Sequence, residues 1–469
     1  MSSNAKFSFK VLINKQKTKV LFAEANNDFV DVLISFLTLP LGRIVQVLEK
    51  HCGDKPPVIG SLTTLYKGLV NLDCSHFWTD VYKQMLINPI TSFSDECHKL
   101  KVDINETQPD RYFACEDFSC DNSKMFNISM YHGYTCNCGK SLTREIRMRD
   151  VNDGGAFIVD GAASFIISDE LLICPNEAGC SVIQILSKLG IADTDLGEIV
   201  NVTFGFNEVI NLLKALLFSK TPLTDTILNK GQIDYTWPFD PLNLLPKVDK
   251  KDAKNSCKKI DLKVIVQKST NKLLFAQANA NFINSLFSLL TIPLGEVVCL
   301  MDGSSLFPNI DNLIKSMDRI EWYFKSYSTK TRLIDISKYN TLPFTEGERP
   351  KVYFYEGECP NSDFMSFSNN AGGPREEVYF CNFKRGKGSY VKRPGTYMVN
   401  DDLSVTPLCM LSSLSSLNAL RIPFSDVTEL VVNVGPEEVL NILKASLVSK
   451  SALSNGLSHL LMKQPKTEQ

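Results

Sequence analysis

The 469-residue chain is predicted to be α+β, built from two tandem, pseudo-symmetric copies of one unit. Each copy is expected to hold a β-hairpin, helices, a β-rich middle and a C-terminal β-α pair. Three observations predict this. Sliding the chain by 253 positions lays Lys10–Leu48 on Lys263–Met301 without a gap, with 18 of 39 residues identical. Val209–Leu223 pairs with Val439–Leu453 at nine identities in fifteen. A weaker match joins Ile166–Pro175 to Met398–Pro407, in the same order. The period is far longer than the ~20–50 residues of a solenoid repeat, so the copies read as domains. Strands do not alternate regularly with helices, which argues against a doubly wound parallel sheet.

The boundaries follow from composition. The first α+β repeat is placed at 7–228 and the second at 260–463. Residues 229–259 between them are Pro/Lys-rich, without amphipathic period, and read as a linker. The hydrophobic fraction of 44% and charged fraction of 22% are ordinary for a soluble globular chain. A net charge of -2 supplies no global attraction to nucleic acid or membrane. The most apolar stretches are broken by Thr-Leu/Ile-Pro-Leu-Gly and fall short of the ~20 apolar residues of a span. With no secretory leader apparent, the chain is expected inside the cell, in cytoplasm or nucleus, and its 14 cysteines as thiols or metal ligands.

Element by element, Val11–Ile13 and Val20–Ala23 flank the polar turn Asn14–Lys19 and predict a hairpin. Asn26, Asn27 or Asp28 then caps a helix, with Phe29, Val32, Leu33, Phe36 and Leu37 on one face. Phe282, Leu286, Leu289 and Leu290 keep that stripe in the second copy. Pro40 ends this helix or starts the next, since its ring cannot follow a continuing turn. Ile44, Val45 and Leu48 give a short second stripe, and Ser61–Leu72 a third helix. Arg111–Cys115, Met125–Tyr131 and Ala156–Ile167 are rich in strand-favouring residues. Helix Val182–Leu189, strand Ile199–Phe204 and helix Asn207–Phe218 close the unit, the last facing the core with Val209, Leu212, Leu213 and Leu216.

The sharpest chemical pattern is Cys115-x4-Cys120, then Cys136-x-Cys138-Gly139. Four thiolates suit tetrahedral zinc, and two close pairs in a β segment read as a ribbon-like insertion with a structural metal. The alternative is four reduced cysteines buried as small apolar residues. His132 lies close enough in sequence to replace one ligand. The second copy offers Cys359 and Cys381 in this region, too few for a four-ligand site. Lys384–Gly395 is basic and Gly-rich, fails the nucleotide-loop pattern and reads first as a solvated basic loop, although Tyr390 within it could stack on a base. The five histidines fall in no catalytic motif and in neither strongly repeated segment. The shared Asp169/Asp401 and Pro175/Pro407 read as caps and punctuation.

The segments KVLFAEAN, DFVDVLISFLTLPLG, CNCGKSLTREI and EVINLLKALLFSKTPLTD resemble the plant family of domain of unknown function 674, over nearly the whole chain. The resemblance implies plant origin, a two-copy layout and a cysteine-bearing first copy. Cys115, Cys120, Cys136 and Cys138 fall where that family's cysteines lie. The family brings no activity, substrate or partner. The expectation is a non-enzymatic protein that binds a protein partner or small ligand and makes no membrane contact. Nucleic-acid binding through the cysteine ribbon and the Lys384–Arg393 loop is the alternative, and an enzyme of unrecognised type the third reading.

Overall fold

A computed structural model describes every residue except 1–4, 54, 92, 106–111, 121–125, 130, 137, 149–155, 160–163, 177–186, 188–195, 234–258, 301–305, 326–332, 334–351, 356–363, 368–375, 381–389, 420 and 463–469. The architecture is mixed α+β. The first half runs β1 (Phe7–Asn14), β2 (Val20–Ala25), α1 (Asn27–Thr38), α2 (Leu41–His51), α3 (Leu62–Asn71), α4 (Asp80–Ile87) and α5 (Ser94–His98). Then come β3 (Tyr112–Cys115), β4 (Phe126–Ser129), β5 (Tyr134–Thr135), β6 (Ser141–Met148), β7 (Phe165–Ser168), β8 (Ile173–Pro175), β9 (Leu196–Phe204), α6 (Phe206–Phe218) and α7 (Pro222–Ile227). The second half runs β10 (Ile260–Gln267), β11 (Lys272–Asn279), α8 (Ala280–Leu289), α9 (Leu294–Leu300), α10 (Pro308–Arg319), β12 (Val352–Tyr355), β13 (Phe364–Phe367) and β14 (Glu376–Phe380). It ends with β15 (Thr396–Asn400), β16 (Val405–Pro407), α11 (Met410–Ala419), β17 (Val427–Val434), α12 (Pro436–Val448), α13 (Ala452–Gly456) and α14 (Ser458–Met462). No described helix is long and apolar enough to cross a membrane.

The two predicted hairpins form, and each seeds a five-stranded antiparallel sheet. The orders are β8-β7-β2-β1-β9 and β16-β15-β11-β10-β17. Their registers correspond: Lys10 faces Glu24 as Lys263 faces Gln277, and both ladders shift after the next two pairs, at Leu12/Ile13 and Ile265/Val266. At the first turn the Asn14 carboxamide accepts from the Thr18 and Lys19 N–H groups, which lets Lys17 take a positive φ. Behind the first sheet Phe9 stacks on Phe29 at 4.4 Å between centroids, with Phe7 and Phe204 against the pair. Such a cluster adds geometry-dependent attraction to its burial.

The predicted stripe of α1 is buried, but so is the rest of that helix: Val30 and Ile34 are as inaccessible as Phe29. An amphipathic period marks a helix with one covered side, whereas α1 lies between its own sheet and helices α9 and α10 of the other half. The cap also differs from expectation. Asn26 occupies the N-cap of α1 without a side-chain cap bond, and its amide donates to Asp28 instead. Asn279, at the matching place in the second half, caps α8 by accepting from Asn281 and Phe282 N–H.

The halves meet where the two Thr-Leu/Ile-Pro-Leu-Gly segments cross. Pro40 forms an antiparallel bridge with Pro293. Its hydrogen bonds come from flanking residues: Leu41 N–H to Ile292 C=O and Leu294 N–H to Leu39 C=O, both 2.9 Å. A proline is tolerated here because this bridge draws on its neighbours' N–H groups. Helix α1 ends just before Pro40 and α2 begins just after it, so the proline does both jobs expected of it. Gly42 and Gly295 allow the close approach. A Cβ on Gly42 would sit 3.1 Å from the Leu290 carbonyl oxygen, and one on Gly295 would sit 3.2 Å from that of Leu37.

Further contacts are reciprocal. Helix α3 packs on the second half, where the Ser61 hydroxyl donates to the Ser449 carbonyl at 2.7 Å. Helix α10 packs on the first half, where the Asn309 amide donates to the Leu216 and Ser219 carbonyls that end α6. A bridge joins Phe77 to Val391, and another joins Ile158 to Phe324. Each bridged loop is anchored by one side chain. Asp31 accepts from the N–H groups of Ala156, Phe157 and Ile158 at 2.9–3.2 Å. Asn284, 253 positions later, accepts from those of Tyr390 and Val391. Burial pushes the Asp31 carboxyl up to about 7 against the pull of those three donors.

The β-rich middle is shared. Strand β14 pairs with β4 and β13 with β6, both parallel, so one sheet runs β13-β12-β14-β4-β3-β6-β5 across the two halves. The five-stranded sheets thus fall within 7–228 and 260–463, while helices, loops and this third sheet cross between them. Of the segment Ala156–Ile167, expected as strand, Ile158 is bridged and Phe165–Ser168 is strand. The expected helix Val182–Leu189, apart from helical Ser187, and most of the 229–259 linker lie outside the described residues.

Three outcomes follow from this packing. A protease site inserted between residues 234 and 258, once cut, should leave the two fragments co-eluting in gel filtration, since the Pro40–Pro293 bridge and the β14–β4 and β13–β6 pairings join the halves elsewhere. Gly42→Val should destabilise the chain by about 1–3 kcal/mol in urea unfolding, through overpacking against Leu290. Asp31→Asn should stay within about 1 kcal/mol of the parent at pH 7, whereas Asp31→Ala, orphaning three N–H groups, should cost about 2–5 kcal/mol. The folded Asp31 carboxyl keeps its proton to higher pH than the unfolded one, so it lowers stability as pH rises from about 4 to about 7. Asp31→Asn should flatten that slope in denaturation measured across the same range.

Candidate metal centre

The cysteine cluster is assembled by the edge of the shared sheet. Cys115 ends β3, and the β3–β6 ladder shifts register between Ala114 and Cys115, which turns the cysteine away from regular pairing. A 3-10 turn over Phe118–Cys120 brings the second sulfur back, held by Cys120 N–H donating to the Asp117 carbonyl. Cys136 follows β5, and the chain reverses through Cys138 and Gly139 to β6, with Cys136 N–H donating to the Lys140 carbonyl at 2.7 Å. Gly139 sits at φ +89°, a conformation that glycine takes without strain, as the sequence anticipates.

The four sulfurs of Cys115, Cys120, Cys136 and Cys138 all lie within 4.8 Å of one another. Cys115 and Cys138 approach to 3.5 Å, far beyond a sulfur–sulfur bond, and none of the four is in a disulfide. Tetrahedral zinc with ~2.3 Å bonds needs sulfurs ~3.8 Å apart, so the cluster spans the right distances. Cys115 and Cys136 are buried, Cys120 is half-buried and Cys138 exposed.

The sulfurs are not equivalent electrostatically. The Asp117 N–H donates to Cys115 Sγ at 3.4 Å, yet burial pushes that thiol up to about 11. Burial and neighbouring sulfurs push Cys120 up as well. The Lys140 N–H draws Cys138 down to about 7. Burial and crowding thus favour protons on Cys115 and Cys120, and a divalent cation reverses that preference by neutralising several thiolates at once. Across the two loops Lys140 pairs with Asp117 at 2.9 Å, and this pairing holds the Asp117 carboxyl well below the usual carboxylate range. Four protein ligands would leave no open position for a substrate.

The histidines and the other residues weighed from the sequence are placed elsewhere in the fold. His132 is not in the cluster, and its ring meets Phe113 edge-on at 5.1 Å. His51 lies against Phe206, His76 against Tyr397, and His459 3.1 Å from Glu438. Tyr390, proposed from sequence as a stacking platform, is buried, with its N–H held by Asn284. Residues 384–389 of the basic loop lie outside the described residues, as do Cys359 and Cys381. Asp169 is a cap, as expected. It accepts from the N–H and hydroxyl of Thr224 in α7, and burial raises its carboxyl to about 6. Asp401 likewise accepts from Ser454 N–H in α13. Sequence reasoning missed Asp31. An acidic residue inside an otherwise apolar helical stripe was the available signal.

No curated protein and no solved structure matches the chain. A family model described as protein of unknown function (DUF674) matches residues 3–435, and the chain belongs to that family.

Proposed function

We propose that this chain is a non-enzymatic binding protein whose cysteine cluster holds one zinc ion as a structural cross-link. The convergence of four thiols from two loops, within 4.8 Å of one another, carries this reading. The N–H groups of Asp117 and Lys140 directed at sulfur support it, because such donors favour the thiolate that a metal needs. The ion would tie the Cys115–Cys120 loop to the Cys136–Cys138 loop. It would thereby pin β3, β5 and β6, and with them the strands contributed by the second half. The partner is a protein or small ligand.

The buried carboxylates support a non-catalytic reading. Asp31 and Asp169 have raised affinities for protons, which elsewhere marks acid–base residues. Here their oxygens are occupied by backbone N–H groups of the 156–158 loop and by the N–H and hydroxyl of Thr224 in α7. We also read the matching registers and reciprocal contacts as descent of both halves from one duplicated unit.

Native mass spectrometry and elemental analysis of the purified chain should find about one zinc per chain. Cys136→Ser should abolish that stoichiometry and lower the thermal midpoint. Because β4 and β6 pair with strands of the second half, the loss should appear in hydrogen exchange of 376–380 as well as of 112–148. Fully stable, metal-free wild-type protein would sink the proposal.

A further inference from the structure

The four sulfurs differ in exposure in a way that a purely structural site does not require. Three are buried or half-buried, while Cys138 is exposed. It sits on the loop tip beside Gly139, where a Cβ would meet nothing within 4 Å. Small solutes therefore reach this sulfur without opening the fold. The sulfur at 3.5 Å from it, Cys115, is buried at the end of β3, 23 residues away in sequence. An accessible sulfur with a second, protected sulfur in van der Waals contact is the arrangement in which oxidation of the first is captured by the second.

We infer that the cluster is a peroxide-responsive zinc latch, in which Cys138 and Cys115 close a disulfide and the metal leaves. This rests on the zinc reading above. The Cys138 thiolate attacks one oxygen of a hydroperoxide. The O–O bond breaks, hydroxide (or alkoxide) leaves, and Cys138 becomes a sulfenic acid. The Cys115 thiolate then attacks that sulfur, forming the S–S bond and expelling a second hydroxide. Two electrons pass from the sulfur pair to one peroxide. Zinc keeps its charge, loses two of four ligands and dissociates from the remaining pair. Closing 3.5 Å to the ~2.05 Å of a disulfide draws the end of β3 toward the loop before β6. Both strands belong to the sheet shared by the halves, so the redox state of this corner is communicated to the second half.

The test uses full-length, zinc-loaded protein titrated with hydrogen peroxide. Zinc release is followed with a chromogenic chelator, and thiols are blocked before non-reducing peptide mapping. Release of the bound zinc together with a Cys115–Cys138 linked peptide is expected, and reductant plus zinc should restore the starting state. Cys138→Ser should lose both the linked peptide and the peroxide response. Cys409→Ser, which removes an exposed cysteine elsewhere, should keep both. A zinc-loaded chain that retains its metal while Cys138 is oxidised overturns the latch and leaves the zinc reading standing. So does a disulfide between any other pair. A chain purified without zinc removes the metal reading first, and the latch with it.

Discussion

The bridge between Pro40 and Pro293 is the contact on which the architecture turns. Two short segments of nearly the same sequence run antiparallel there, each supplying to the other the hydrogen bonds that its proline cannot make at its own nitrogen. A glycine two residues on lets the helices close without a side chain between them. Once the helices α1 and α9 are fixed against each other, α3 and α10 lie nearer the opposite sheet than their own. The loops at 156–158 and 390–391 are then positioned to bridge across. Hydrophobic burial supplies most of the driving force, and the proline crossing sets its register.

The position 31/284 illustrates how the two halves tolerate different chemistry under the same geometric demand. Backbone N–H groups of a bridging loop need an acceptor in a place shielded from water. A carboxylate meets that need with two oxygens and accepts three bonds, yet burial works against its charge. A carboxamide accepts two bonds and returns one to its own helix, at the Ala280 carbonyl, with no charge to bury. Both positions therefore supply an acceptor, one with an ionisable group and one without.

Much of this was legible in the sequence. The hairpins, the helix spans and the burial of Phe29, Leu33 or Val209 follow from local periodicity, which reports that a face is covered. Periodicity does not report what covers it. The exchange of α3 and α10 therefore could not be read from Ser61–Leu72, nor could the complete burial of α1. The shared sheet was hidden for a similar reason, since strand propensity gives no partner and parallel pairing joins residues more than 200 apart, such as Arg147 and Phe364. The cysteine spacing was enough to pick out the four residues whose sulfurs converge. The unequal exposure of those sulfurs depends on loop path and needed coordinates. Tyr390 was misjudged because a basic, Gly-rich neighbourhood suggests a surface loop, while the backbone beside it is drawn inward by Asn284.

The crossing of helices has a consequence for synthesis on the ribosome. Chains ordinarily fold domain by domain from the N-terminus as they emerge, at about 5–20 residues per second. Here the sheet of the first half has its last strand by Phe204, but the helix that shields its far end, Pro308–Arg319, is translated only later. During that interval the growing polypeptide carries an uncovered greasy surface near β8 and α6, a natural place for chaperones to act before the second half arrives to close it.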